Sequence, residues 1–224
     1  MWGQQPARPP TPPLTPAELE AIPLLPARVG VSVKKQLFDG KTLKGWRGSP
    51  EWWSVKDGAI AGKFHDKVPT SFLYTEESFT DFRLTLASKM VESENHAGVA
   101  FWSEIVEKPG NAWGTRGPLV VFPNPGMWDY IDAKGIRVFK PTKEKVTSQH
   151  EWVKVEILVQ GNRVRTAFNG VQVMEWREAD ASRIKAGPIG VQLHGWTGPQ
   201  EVHYKDIFIE TFPEADRLIS LGAK

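Results

Sequence analysis

The sequence contains no cysteine. Disulfides, thiolate metal sites and a cysteine nucleophile are thereby excluded, while the redox compartment stays open, because exported bacterial proteins can also lack cysteine. Charge of one sign is equally scarce. The 28 basic residues face 26 acidic ones, a formal net charge of +2, and no run of five or six like charges occurs. The electrostatic footprint of a nucleic-acid-binding or anionic-membrane-binding chain is therefore missing. No stretch reaches the ~18 apolar residues that would span a bilayer. Residues 1–30, MWGQQPARPPTPPLTPAELEAIPLLPARVG, also lack the apolar core of a signal peptide. Either the protein is cytoplasmic or a leader has been removed. Of the 5 histidines, His65, His96, His150 and His203 are too dispersed to suggest a metal triad, and neither HxH nor HExxH occurs.

Tyrosine is rare as well, with 3 residues against 10 tryptophans and 11 phenylalanines. Most indoles belong in a core, but indoles lining a groove also stack on sugar rings. At 224 residues and 40% hydrophobic content the chain fits one large globular domain.

Residues 1–30 form a proline-rich arm or linker, a candidate docking segment for a protein partner. Within it Thr15-Pro16-Ala17-Glu18 has the pattern of a capping box with proline at the first helical position, which predicts one short helix near 15–21. Residues 31–212 carry strand and turn signals. Phe82, Leu84 and Leu86 alternate with Arg83, Thr85 and Ala87, the period of a half-buried strand. In EWVKVEILVQGNRVRTAFNGVQVMEW, Val153, Val155, Ile157 and Val159 form one face, and turns at Gly161-Asn162 and Asn169-Gly170 make an antiparallel meander. PIGVQLHGW and EVHYKDIFIET supply two further strands. The tail, 213–224, includes PEADRLISLG, the one further segment that a helix would suit. Many short antiparallel strands at this spacing point to an all-β, two-sheet sandwich or jelly roll.

LFDGKTLKGW, residues 37–46, holds two glycine turns before a tryptophan. A phosphate loop needs GxxxxGK[ST] between strand and helix, and a calcium loop needs alternating carboxylates. Neither is present, so the stretch reads as the way into a sheet.

LFDGKTLKGW, then WWSVKDGAIAG, the DFRLTL strand, HEWVKVEILVQGNRVRTAFNGVQVMEW, GPIGVQLHGW and VHYKDIFIE resemble, in this order, the 3-keto-disaccharide hydrolase domain family over roughly residues 36–211. The resemblance implies a concanavalin A-like jelly roll of two curved antiparallel sheets with a substrate groove on the concave face. It also implies an exported bacterial protein, periplasmic or secreted, acting on an oxidised sugar, a 3-keto-glycoside. Where family members carry groove carboxylates on a GYEVQILD-like strand, this chain has Leu119 and Asn124 in GPLVVFPN. Trp102 stands where an arginine often follows the NSGIFFR-like strand.

A ketone at C3 acidifies the C2 hydrogen, so one base, a donor or cation for the enolate and an acid near the leaving group suffice. The paired carboxylates of ordinary glycosidases are not needed, and the ExDxxE motif of sandwich-fold endoglucanases is absent. No cofactor is called for, although a divalent cation would suit an enolate. If Ile189, Val191 and Leu193 are buried, Gln192 and His194 face the other way, Gln192 toward sugar hydroxyls and His194 as base or acid. The alternative is a histidine that only satisfies a strand end. In MWDYIDAKGIRVFK, Asp129 is the candidate acid or base and Arg137 the counter-charge, with Trp128 and Lys140 as substrate contacts. Asp132, Lys134 and Lys140 suit a solvated loop better than a site. Trp102 and Glu104 would line a groove opposite Val99 and Phe101, although Trp102 equally suits the core. Trp196 would stack at the rim, whereas Trp46, Trp52 and Trp53 suit the sandwich edge. Three functions follow: a 3-keto-glycoside-cleaving enzyme, a non-catalytic carbohydrate-binding module, or a structural domain that docks through its arm.

Overall fold

A computed structural model describes residues 12–66, 68–108, 111–140, 146–195 and 198–222. In chain order the strands are β1 (Val33–Gln36), β2 (Trp46–Arg47), β3 (Trp53–Lys56), β4 (Ala59–Phe64), β5 (Ser71–Phe79), β6 (Phe82–Glu92), β7 (Ala97–Ala100), β8 (Glu104–Lys108) and β9 (Asn111–Arg116). They continue as β10 (Pro118–Phe122), β11 (Gly126–Asp129), β12 (Lys134–Gly135), β13 (Val153–Gln160), β14 (Arg163–Phe168), β15 (Val171–Arg177), β16 (Gly187–Leu193) and β17 (Gln200–Thr211). One antiparallel sheet runs β15-β14-β13-β6-β17-β4-β3, with β1 also on β17; the second runs β12-β11-β10-β7-β16-β5-β2; β8 and β9 form a separate hairpin. This is the expected two-sheet sandwich.

The alternating residues decide which faces meet. Phe82, Leu84, Leu86, Val153, Val155, Ile157 and Val159 from one sheet and Ile189, Val191 and Leu193 from the other are all buried in a shared core, together with Trp46 and Trp53. The hairpin joining β14 and β15 turns at Asn169 and Gly170, whose φ values of 47° and 81° are the left-handed pair that a two-residue turn between twisted strands requires. The stretch at 37–46 does lead into a sheet. Asp39 accepts the N–H groups of Lys41 and Thr42, each at 2.7 Å, and Trp46 is buried with its Nε1 donating to the Leu37 carbonyl at 2.7 Å.

Residues 12–30 lie against the sandwich. Helix α1 (Pro16–Glu20) has the expected capping box on Thr15 and Glu18. Arg137 grips Glu18 with both Nη atoms, at 3.0 and 2.9 Å, and its Nε donates to the Pro12 carbonyl. Farther on, the Leu25 N–H donates to Asn162, the Arg28 N–H to Asp81, and the Arg28 guanidinium pairs with Asp81. The Arg137 hydrogen bonds hold the Glu18 carboxyl down at about 2. A depressed carboxylate stabilises the docked helix above its ordinary range and loses that effect as pH falls through about 2, so the clamp persists at neutral pH. Arg137→Ala is expected to speed protease cleavage within residues 12–22 while leaving the melting temperature nearly unchanged. Limited proteolysis with mass spectrometry checks this, and cleavage at the wild-type rate would refute the clamp.

The tail is not helical over 213–222. Its backbone groups are taken up by side chains of the outer sheet face instead: Arg83 donates to the Ala215 and Arg217 carbonyls, and the Ile219 and Ser220 N–H groups donate to Glu156. Leu218 packs on Leu158 and Ala167. Long-range partners for the backbone outcompete the local i to i−4 bonds of a helix.

Candidate active site

Burial of Ile189, Val191 and Leu193 turns Gln192 and His194 to the outer face of the second sheet, as the pleat requires. That face carries its own apolar cluster: Phe72, Tyr74, Ala100 and Leu119, with Ile105, Trp113, Val121, Trp128 and Tyr130 packed against it. Two glycines let neighbouring segments approach closely. At Gly190 a Cβ would fall 2.5 Å from the Tyr74 ring, and at Gly195 it would fall 2.2 Å from the Val68 carbonyl oxygen, so any side chain would push the neighbouring segment away.

Gln192 is 0% exposed. Its Nε2 donates to the Tyr130 hydroxyl at 2.8 Å, while its Oε1 is buried with no hydrogen-bond partner among the described residues. Tyr130 crosses the face to reach it and meets Phe72 edge-on at 5.8 Å. Burial raises the Tyr130 hydroxyl to about 12, against the lowering effect of the bonds with Gln192 and Thr70. It therefore stays protonated at any physiological pH.

His194 is half-buried at the end of β16. The register Val191 opposite Val99 between β16 and β7, carried three residues on, sets His194 beside His96. The two imidazoles meet at 4.2 Å between centroids with planes 63° apart. Loss of hydration lowers the pKa of His194, and burial with the neighbouring ring takes His96 to about 3. Both rings are neutral at pH 7. His194 Nδ1 is buried without a hydrogen-bond partner among the described residues. The His194 backbone is pinned by the Gln200 amide, at 2.8 and 3.1 Å in the orientation that satisfies both of its ends.

The other sequence candidates scatter. Trp102 is 1% exposed, packs on Phe101 and Trp176, and donates to the Thr80 carbonyl; it is core, because its left-handed φ of 49° breaks the alternation after Phe101. Asp129 turns away from Trp128, is buried, and is held by Arg183 at 2.7 Å and by the Ile131 N–H at 2.8 Å. Arg137 is spent on the arm. Neither joins His194. Glu104 is exposed on the hairpin and pairs with Lys185, which lowers its pKa. Lys140 is exposed one residue beyond the bridge between Phe139 and Glu175 of β15, at the edge of the other sheet. Trp128 does lie on the face of Gln192. Trp196 lies outside the described residues.

His96, Tyr130, Phe72 and Thr70 are additions to the site. His96 had a legible signal: two apolar strands, AGVAF and PIGVQL, each flanked by a histidine in the parity opposite to its buried residues. No group of three or more His, Asp or Glu side chains converges as a metal cage among the described residues. The two imidazoles could supply at most two nitrogen donors to a divalent cation.

The fold is that of jelly-roll proteins. It is similar to a candidate glycosyl hydrolase of Parabacteroides distasonis (TM-score 0.57, 18% identity, 80% of this chain and 93% of that one). It is also similar to a Bacillus subtilis protein of unknown function with a galectin-like fold (0.60, 13%, 83% and 98%) and to a carbohydrate-binding module of Bacillus subtilis (0.56, 11%, 75% and 96%). Among curated proteins nothing matches. Residues 34–210 match the family described as the 3-keto-alpha-glucoside-1,2-lyase-like domain, and the chain belongs to that family. No helix among the described residues is long and apolar enough to cross a membrane.

Proposed function

We propose that this chain cleaves glycosides whose 3-hydroxyl has been oxidised to a ketone. Neutral His194 removes the C2 proton; the electrons of that C–H bond form the C1–C2 double bond as the C1–O bond breaks, and the imidazolium passes its proton to the departing oxygen. Water then adds across the enone, hydroxyl to C1 and proton to C2. The Tyr130 hydroxyl, kept protonated, is the donor on this face suited to the enolate oxygen.

One observation carries the reading in a member of this family. Two buried polar atoms without partners among the described residues, Gln192 Oε1 and His194 Nδ1, lie two residues apart on a strand face that also holds a pair of neutral imidazoles. A buried polar atom left unpaired is costly and calls for an explanation, a catalytic role among them; these two stand apart from the eight others among the described residues, Ser71 Oγ and Trp53 Nε1 for example, because they share a face with both imidazoles. Leu119, buried on this face, is no carboxylate, so the base falls to histidine.

The test is incubation with a 3-keto-glucoside and with its unoxidised parent. Release of the aglycone from the ketone alone supports the proposal. Release from both means an ordinary glycosidase, and release from neither with sugar affinity retained means a binding module. An extracytoplasmic location accords with the family and belongs to the same proposal.

A further inference from the structure

β1 lies along the far half of β17, with Val33 opposite Thr211 and Lys35 opposite Ile209, and among the described residues no strand lies on its other side. The Leu37 N–H donates to the Ile207 carbonyl in the same register. Odd-numbered residues therefore direct their N–H and C=O groups to β17, and Ser32, Lys34 and Gln36 direct theirs outward. Such an edge is a template for another strand.

The usual protections of an edge are weak here. Val29–Gln36 contains no proline, and no turn or bend interrupts it. Lysines commonly guard edges, but Lys34 lies 3.8 Å from Glu210, and Lys35 is paired with Glu77 and held 5.3 Å from the centre of the Phe79 ring, so both charges are matched within their own chain. The residues ahead of them are uncharged and exposed: Val29 is 101% exposed, Val31 78% and Val33 47%. Phe208, 45% exposed, stands opposite Gln36 and so on the other face of the sheet from Val31 and Val33, beside a groove of 410 Å³ that it lines with Lys34 and Ile219.

We infer that this edge joins a second copy of the chain, residues 29–35 against residues 29–35, making one continuous antiparallel sheet across a two-fold axis at Ser32. In that register Ser32 faces Ser32 as a hydrogen-bonded pair, and Val31 of each copy faces Val33 of the other, twice. Lys34 faces Gly30, which has no side chain to oppose it, so no lysine confronts another. Moving the axis to Lys34 would set lysine against lysine. The sequence around Ser32 is thus self-complementary, which argues for a copy of the chain over an unrelated strand.

Sedimentation velocity of the full chain over a wide concentration range tests this. The expected result is a concentration-dependent doubling of mass, lost in the double variant Val31→Lys, Val33→Lys and in Ser32→Pro. Ser32→Pro removes an N–H that points away from β17 and one side-chain contact, the Ser32 hydroxyl to Glu210 at 3.3 Å, so the backbone ladder of the monomer is kept, and circular dichroism checks its fold. A wild type that stays monomeric throughout, or folded variants that dimerise like the wild type, would overturn the inference.

Discussion

His194→Ala is expected to reduce aglycone release from a 3-keto-glucoside by about a hundredfold to ten-thousandfold, the range lost with a positioned general base, while substrate affinity changes little. The reasoning runs through protonation. A base must be neutral to act, and burial favours the neutral imidazole because the charged form loses its hydration. His194 therefore has a pKa below the ordinary histidine value, and the acid limb of kcat/KM should lie below the reference of about 6.5. A merely structural histidine would leave that limb where it was when changed to Gln. The same shift acts on folding with a definite sign. A histidine whose folded pKa is lowered binds its proton in the unfolded chain first, so stability falls as pH drops through the unfolded value. A variant that keeps full turnover, or an acid limb above the reference value, would remove His194 from the chemistry.

His96 supplies a second readout of the same idea. Its ring walls one side of His194 at 4.2 Å. His96→Ala would admit water there, restore part of the hydration, and move the acid limb toward the ordinary value. The base itself would remain, so turnover at alkaline pH should fall less than in His194→Ala.

The parts of this molecule legible in the sequence are those governed by local period. Ile189, Val191 and Leu193 announce a buried face and so fix the opposite direction of Gln192 and His194; Asn169-Gly170 announces its hairpin; Thr15 to Glu18 announces a capped helix. Period fails where the backbone breaks it. At Trp102 one left-handed residue puts two successive aromatic side chains into the core, and no alternation rule could place both. Period is also silent about partners distant in the chain. Asp129 and Arg137 look available within MWDYIDAKGIRVFK, yet their charges are matched by Arg183 and Glu18, brought there by the closure of the sandwich and the return of the arm. Gln192 points as expected but lies under Tyr130, which holds its amide.

Arg83→Ala should be the most destabilising of the charge deletions, at about 3–5 kcal/mol, the cost of leaving a buried ion pair half made. Arg83 is 3% exposed and Glu156 1%, joined at 2.6 Å; the same guanidinium reaches Glu210 at 3.0 Å and the Ala215 and Arg217 carbonyls. Truncation takes the counter-charge from buried Glu156, leaves Glu210 only that of Lys34 at 3.8 Å, and removes the donor to two tail carbonyls, so the tail over 213–222 should detach as the sheet loosens. Burial alone would raise the Glu156 carboxyl, but hydrogen bonds from Ser220, Ile219 and Arg83 outweigh it, and its folded pKa is lowered. A lowered carboxylate contributes its full stability above the unfolded value of about 4.3 and loses it as pH falls through the folded value. Thermal melting between pH 7 and 3 should therefore fall more steeply in wild type than in Glu156→Gln, the remainder of the fall belonging to other lowered carboxylates such as Glu201. A domain of this size loses about 2–4 °C per kcal/mol, which sets the scale for Arg83→Ala at neutral pH. The double variant Arg83→Ala, Glu156→Gln should recover part of the loss, because the stranded charge is gone. Equal loss in the single and double variants would mean that Arg83 acts through the tail carbonyls and not through the ion pair.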